Sequence, residues 1–171
     1  MKKVLILVLT LVGTLVVAAS PARAASSSNG GWVPAPTPPF DIPAGEVCDF
    51  PVHGAPVVDK VMSKVLATYP DGATKVQLAE GPLILRITNA DNGRSHDENG
   101  SGTGLFRFAT DGSFTVDVVG PLLIGFRAGL SNVPRGFYEL NGVYRIAFGT
   151  DGFRTLTFIH GTIRNICGDF V

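Results

Sequence analysis

The chain has no surplus of positive charge, with 14 basic and 14 acidic residues among its 171. A protein that binds nucleic acid draws much of its affinity from Lys and Arg that face phosphates. The composition therefore predicts no nucleic-acid partner. Charged residues of both signs are also few, at 16% against 45% apolar residues, which excludes a wholly disordered chain.

Sequence motifs that mark enzymes and cofactor sites are missing. There is no G-x-S-x-G elbow, no phosphate loop and no dinucleotide fingerprint. His53, His96 and His160 show neither helical i, i+4 spacing nor the H-x-H of a strand metal site. Asp117 and Glu139 are carboxylates on predicted strands, but their spacing says nothing of the separation that glycoside cleavage needs. We expect no metal and no cofactor, and we favour a protein without catalysis.

The first 24 residues have the pattern of a secretory signal peptide. Lys2 and Lys3 precede an apolar run over residues 4–17, and Ala22-Arg23-Ala24 has the small-x-small form that signal peptidase reads. The apolar run is shorter than the ~20 residues that cross a bilayer. We predict a signal peptide over residues 1–24, a secreted product and no membrane span after cleavage. Cleavage would remove three basic residues and leave a mildly acidic protein.

Residues 25–45 are rich in Ser, Gly and Pro. Such a composition buries too little apolar surface to offset backbone entropy, so we predict a flexible leader. The remainder, residues 46–171, has the size of one domain.

Cysteine is scarce, with Cys48 near the start of this domain and Cys167 near its end. Exported proteins meet an oxidising environment, in which an even number of cysteines favours disulfides. A redox pair is the alternative, but the chain has no C-x-x-C motif. We predict one structural disulfide that joins the two ends of the domain.

An internal period of 40 residues is the most informative pattern. Asp-Gly recurs at Asp71-Gly72, Asp111-Gly112 and Asp151-Gly152, and apolar residues at alternate positions follow each pair, as is typical of strands. Asp-Gly favours a type I′ hairpin turn. Glycine recurs again near residues 81, 120 and 161, where we expect a break between strands.

Three such units predict an all-β fold with about eight or nine strands. An antiparallel meander β-barrel is the first choice and a β-sandwich the second. Residues 57–66 also carry apolar spacing that suits a helix, and residues 89–104 form the longest predicted loop. The predicted strands span residues 58–69, 74–79, 83–89, 104–109, 113–119, 122–127, 136–148, 153–160 and 162–167.

Six arginines lie among apolar residues of these strands, at positions 86, 107, 127, 145, 154 and 164. Side chains alternate faces along a strand, so an Arg between two apolar residues is expected on the outside. The alternative is that two or three point into a cavity and bind an anionic group bidentately. For such a site the candidates are Arg107, Arg127 and Arg145, with Phe126 as apolar lining.

With its signal peptide, its terminal cysteine pair, the turn Thr88-Asn89-x-x-x-Gly93-Arg94-Ser95 and its Asp-Gly hairpins, the chain resembles a family of small uncharacterised secreted proteins of actinobacteria. The resemblance covers roughly residues 48–167. It implies no activity and no site residues.

Three functions fit the predicted barrel. The first is a non-catalytic extracellular protein that holds a small apolar or amphipathic ligand, since barrels of about eight strands enclose packed side chains or one small ligand. The second is an extracellular or envelope module that binds a protein or polysaccharide. The third is a small isomerase- or cyclase-like enzyme. Oligomeric state is unknown from sequence.

Overall fold

The computed structural model describes residues 31–171, so the predicted signal peptide over residues 1–24 lies outside the described residues. Within residues 31–171, twelve strands form two antiparallel sheets, which confirms the all-β prediction, and a short 3-10 helix lies at Cys167–Phe170. The strands are β1 (Val33–Pro34), β2 (Phe40–Ile42), β3 (Val52–Asp59), β4 (Met62–Thr68), β5 (Thr74–Glu80), β6 (Leu83–Asn89), β7 (Ser95–Asn99), β8 (Thr103–Phe108), β9 (Phe114–Val119), β10 (Leu122–Phe126), β11 (Gly136–Phe148) and β12 (Arg154–Asn165).

The strands form two separate sheets in a sandwich-like arrangement rather than the predicted meander barrel. The larger sheet has the order β1-β4-β5-β8-β9-β11-β10, with β12 also paired to β11, and the smaller sheet has the order β2-β3-β6-β7. No closed barrel is found among the strands of residues 31–171. The reason is that strands that follow one another in the chain belong to different sheets. Strands β3 and β6 pair in the smaller sheet, whereas β4 and β5, which lie between them in sequence, pair in the larger sheet.

Short corners carry the chain between the sheets. Lys60-Val61 joins β3 to β4, and Gly81-Pro82 joins β5 to β6. The backbone N–H of Lys60 donates to the carbonyl of Pro82 at 2.8 Å, which ties the two corners together. Strands that bend from one sheet into the next are a usual way to build the corner of a sandwich. The glycine break predicted near residue 81 is therefore a corner between sheets.

The two longest strands meet at a close contact between two glycines. Gly142 on β11 lies opposite Gly161 on β12, and their φ angles are +138° and +130°. A Cβ on Gly142 would lie 2.1 Å from the carbonyl oxygen of His160. Only glycine fits this close approach at such a φ. Strand β12 is continuous through this point, so the break predicted between residues 160 and 162 is wrong; the pairing instead shifts register between Val143 and Tyr144.

The Asp-Gly turns are three-residue loops, not the predicted type I′ turns. Among residues 31–171 positive φ angles occur at glycines alone, with +87° at Gly72, so Asp71 has the ordinary negative φ. The N–H of Gly72 donates to the carbonyl of Tyr69, as in a type I turn followed by a left-handed glycine. The Asp71 carboxylate accepts a 2.9 Å bond from the N–H of Ala73. The same 2.9 Å bond recurs from Ser113 to Asp111 and from Phe153 to Asp151.

Two uncertain segments turn out to be strands. Residues 57–66 are extended in β3 and β4, apart from the corner at residues 60–61, so the helical alternative is wrong. The predicted loop over residues 89–104 contains strand β7, whose Asp97 pairs with Arg86 on β6 at 2.7 Å. The residues of β7 are polar and are also common in turns, so the sequence pattern did not predict this strand.

Two short strands, β1 and β2, lie within the segment predicted as a flexible leader, residues 25–45, of which residues 31–45 are described. Strand β1 pairs with β4 and strand β2 pairs with β3, so the segment reaches from one sheet to the other. Phe40 explains this difference, because its ring lies over Gly54 and contacts Phe137 edge-on at 6.4 Å. A tertiary contact thus joins β2 to the core, although the composition of this segment predicts no buried contact.

The predicted disulfide is confirmed. Cys48 and Cys167 are bonded, with 5.6 Å between their Cα atoms, and belong to an apolar cluster with the buried Ile166 and Phe170. A second cluster is centred on Tyr144 and other fully buried residues of the larger sheet. A disulfide is consistent with an extracellular location. No helix within residues 31–171 has the length and apolar character needed to cross a membrane.

Candidate functional site

Two adjoining cavities lie in the interior of the fold, with volumes of about 340 and 320 Å³. Both are within the range of small-molecule sites. The first faces mainly β8, β9 and β11, and the second reaches β2 and β6. The residues that line both include Thr37, Leu83, Gly100, Leu123, Ile124 and Arg154.

Three glycines lie along one side of the larger cavity. Gly100, Gly102 and Gly104 lead from the end of β7 into β8, and all three line this cavity. The N–H of Gly102 donates to the carbonyl of Gly100 at 2.8 Å, so the chain turns here. A Cβ on Gly102 would lie 2.5 Å from the carbonyl oxygen of Pro121, so this glycine lets two stretches of backbone pack closely beside the cavity.

One wall of the larger cavity is aromatic. Phe106 on β8 and Phe148 on β11 line it. Phe148 stacks on Phe114 of β9, with 4.2 Å between ring centroids and 9° between planes. Stacking of this kind stiffens the wall, since each ring limits the rotamers of the next.

Among residues 31–171, Arg154 is the one charged residue that lines the two cavities, and it lines both of them. It is the first residue of β12 and is partly buried; two residues later the buried Leu156 faces the same side of the strand. Its Nη1 donates to the carbonyl of Gly125, and its guanidinium lies 5.4 Å from the centre of the Phe148 ring. Burial, and then the nearby charge of Arg127, lowers the pKa of Arg154.

The segment between β1 and β2 borders the cavities. Thr37 lines both of them, and its backbone N–H donates to the carboxylate of Asp59 at the end of β3. Because β1 belongs to one sheet and β2 to the other, residues 35–39 bridge the sheets beside the cavities.

Two of the predicted ligand-binding arginines meet on the outside of the larger sheet. Arg107 on β8 and Arg145 on β11 both pair with Asp117 of β9, the latter at 2.6 Å. Both guanidinium side chains are about half exposed. The hydrogen bonds from Arg145 and then Arg107 lower the pKa of the Asp117 carboxyl. Within residues 31–171 the lining of the two cavities includes neither arginine.

The other two predicted residues also lie away from the cavities. Arg127 pairs with Glu46 and is about half exposed. Phe126 is fully buried, and its ring contacts Tyr138 edge-on at 5.7 Å, so it belongs to the packed core. Neither Arg127 nor Phe126 lines either cavity in the part of the chain that the structure describes.

The carboxylates considered for glycoside cleavage belong to separate clusters. Asp117 lies among the arginines of the larger sheet, whereas Glu139 accepts a 2.9 Å bond from Arg164. Arg164 also lies 3.5 Å from Glu98, and burial raises the pKa of the Glu98 carboxyl. Within residues 31–171 no group of three His, Cys, Asp or Glu side chains is placed to hold a metal ion.

Two features of this site are not among the candidates predicted from sequence. Arg154 is one of the six strand arginines noted there, but the predicted candidates are Arg107, Arg127 and Arg145. The signal available for Arg154 is its position two residues before the apolar Leu156, on the same face of the strand. Gly100, Gly102 and Gly104 lie in a polar stretch predicted as a loop, and their spacing does not indicate a cavity.

No protein-family model, no curated protein and no solved structure matches this chain. Its resemblance to secreted proteins of actinobacteria therefore stays a prediction.

Proposed function

We propose that this protein is a secreted, non-catalytic binding protein that holds a small apolar or amphipathic molecule in its interior cavities. The observation that carries the proposal is the pair of adjoining, mainly apolar cavities of about 340 and 320 Å³. The two other functions considered from sequence, an interaction module and a small enzyme, remain predictions.

The lining supports an apolar ligand. Leu123 and Ile124 of β10 lie between the two cavities, and Phe106 and Phe148 add flat aromatic surface to the larger one. Burying an apolar ligand against such walls is favourable by roughly 25 cal/mol for each Å² removed from water. Binding sites of this kind are concave, mostly apolar and carry few polar groups.

Binding of a neutral fluorescent probe, N-phenyl-1-naphthylamine, tests the proposal. Ala79→Phe places a ring into the larger cavity, which Ala79 lines. Gly100→Leu fills space shared by both cavities, and its Cβ would lie 3.3 Å from the movable end of the Leu83 side chain. Ala67→Phe is the matched control, because Ala67 is a half-buried strand residue that lines neither of the described cavities.

We expect the wild type and Ala67→Phe to bind the probe with equal affinity. The two cavity-filling variants should bind at least about tenfold more weakly, since each removes part of the volume that the probe needs. Circular dichroism and thermal unfolding establish that each variant is folded. Absence of binding by the wild type, or equal binding by all four folded proteins, would overturn the proposed function.

A further inference from the structure

Arg154 is unusual among the arginines of the sheets. Arg86, Arg107, Arg145 and Arg164 each pair with a carboxylate on the protein surface. Among residues 31–171 no carboxylate lies within 4.0 Å of Arg154, whose side chain lines both apolar cavities. The wall of an otherwise apolar site thus carries a cation without a protein counter-ion.

We infer that the ligand of this site is an anionic amphiphile, a monocarboxylate with an apolar tail, whose carboxylate pairs with Arg154. This inference rests on the proposed function and names the class of molecule that the same cavity takes. The tail lies along the apolar walls formed by Leu123, Ile124 and Phe148, and the head group meets the guanidinium.

The hydrogen bonds of Arg154 are consistent with this arrangement. A guanidinium has five N–H donors, and Nη1 of Arg154 is held by the carbonyl of Gly125. Gly125 lies on β10, whereas Arg154 begins β12, so this bond positions the guanidinium across the gap between strands. A guanidinium fixed at one nitrogen binds a carboxylate with less loss of side-chain entropy than a free one.

Electrostatics favour an anion over a neutral head group at this position. Arg154 is partly removed from water, and the charge of Arg127 acts on it from nearby. A partly buried cation without a counter-ion is costly, and pairing with a carboxylate offsets that cost. A hydroxyl of the same size accepts a hydrogen bond but carries no opposing charge, so it offsets less.

The test compares decanoate with decan-1-ol, which have tails of the same length and differ in the head group. Their affinities are measured by displacement of N-phenyl-1-naphthylamine from the wild type, Arg154→Gln, Arg154→Lys and Arg86→Gln. Arg86→Gln is the matched control, because Arg86 is an exposed arginine paired with Asp97 and lines neither cavity of the described structure. Nuclear magnetic resonance of carboxyl-labelled decanoate reports the pKa of the bound head group.

We expect the wild type and Arg86→Gln to bind decanoate at least about tenfold more tightly than decan-1-ol. Arg154→Gln should abolish this preference while it retains decan-1-ol, and Arg154→Lys should keep part of it. The bound decanoate should stay ionised to lower pH in the wild type than in Arg154→Gln.

The outcomes separate this inference from the proposed function. If the wild type binds the probe and decan-1-ol but shows no preference for decanoate, the carboxylate inference fails and the apolar binding function stands. If the preference survives in Arg154→Gln, the inference also fails. If the wild type binds none of the three compounds, both proposals fail. If Arg154→Gln does not fold, the ratio of the affinities of the wild type for decanoate and decan-1-ol still tests the carboxylate inference.

Discussion

The side-chain amide of Asn89 donates to the carbonyl oxygen of Phe170 at 3.1 Å, although the two residues are 81 positions apart. Asn89 is buried, and its Oδ1 accepts a 2.9 Å bond from the backbone N–H of Asp91. One side chain therefore shapes the turn after β6 and holds the C-terminal 3-10 helix against it.

Asn89→Ala is expected to lower the free energy of unfolding by about 2 kcal/mol, because it removes two hydrogen bonds of a buried amide. Urea denaturation followed by circular dichroism measures the change. Asn99→Ala is the control: Asn99 is exposed and accepts one bond from the N–H of Ser101, so the loss should stay within about 0.5 kcal/mol. Equal losses in the two variants would contradict a special role for Asn89.

The double variant Cys48→Ser, Cys167→Ser is expected to be less stable by about 4–5 kcal/mol. The disulfide closes a loop with a sequence separation of 119 residues, and cross-linking so long a loop removes much entropy from the unfolded chain. Urea denaturation of the variant and of the chemically reduced wild type should give the same midpoint. A loss below about 1 kcal/mol would contradict this account.

Gly142→Ala is expected to cost about 3 kcal/mol or more, since it combines an unfavourable φ with a Cβ 2.1 Å from the carbonyl oxygen of His160. Gly168→Ala is the control, because nothing lies within 4 Å of a Cβ built there. Thermal unfolding distinguishes them: Gly168→Ala should match the wild type. If Gly142→Ala were equally stable, the close contact between β11 and β12 would not depend on glycine.

Asp117→Asn is expected to lower stability by about 1 kcal/mol at neutral pH and to have little effect in strong acid. The hydrogen bonds from Arg145 and Arg107 lower the pKa of Asp117 in the folded state. The stabilisation is therefore present above the unfolded pKa near 3.8 and is lost as the pH falls through the lower folded value. Urea denaturation at several pH values measures the difference, which should shrink towards acid.

Glu98→Gln is expected to show the opposite pH dependence. Burial raises the pKa of Glu98 above its usual 4.5, so the folded protein favours the protonated carboxyl. Its contribution to stability is full below the unfolded pKa and is lost as the pH rises through the folded pKa. Glutamine does not titrate, so the stability of the variant relative to wild type should rise with pH over this window. A relative stability independent of pH would refute the raised pKa.

The local pattern of the sequence determined where most strands begin and end. Strand β6 has the predicted bounds, 83–89, and β11 has the predicted bounds, 136–148, because alternating apolar residues and flanking Gly, Asn and Asp act within a few residues. The Asp-Gly period located the hairpins, but not their turn type, which depends on how each loop joins the twist of its strands.

Long-range pairing decided the arrangement of these strands. The sheet that each strand joins depends on partners far along the chain. The division into two sheets, the pairing of β1 and β2 and the close contact of Gly142 with Gly161 therefore required the tertiary structure. The same holds for Arg154, whose position beside the cavity depends on β10 as well as β12. Sequence periodicity determined which side of its strand each residue faces, whereas only the packing of the two sheets decided whether that side meets water, the core or a cavity.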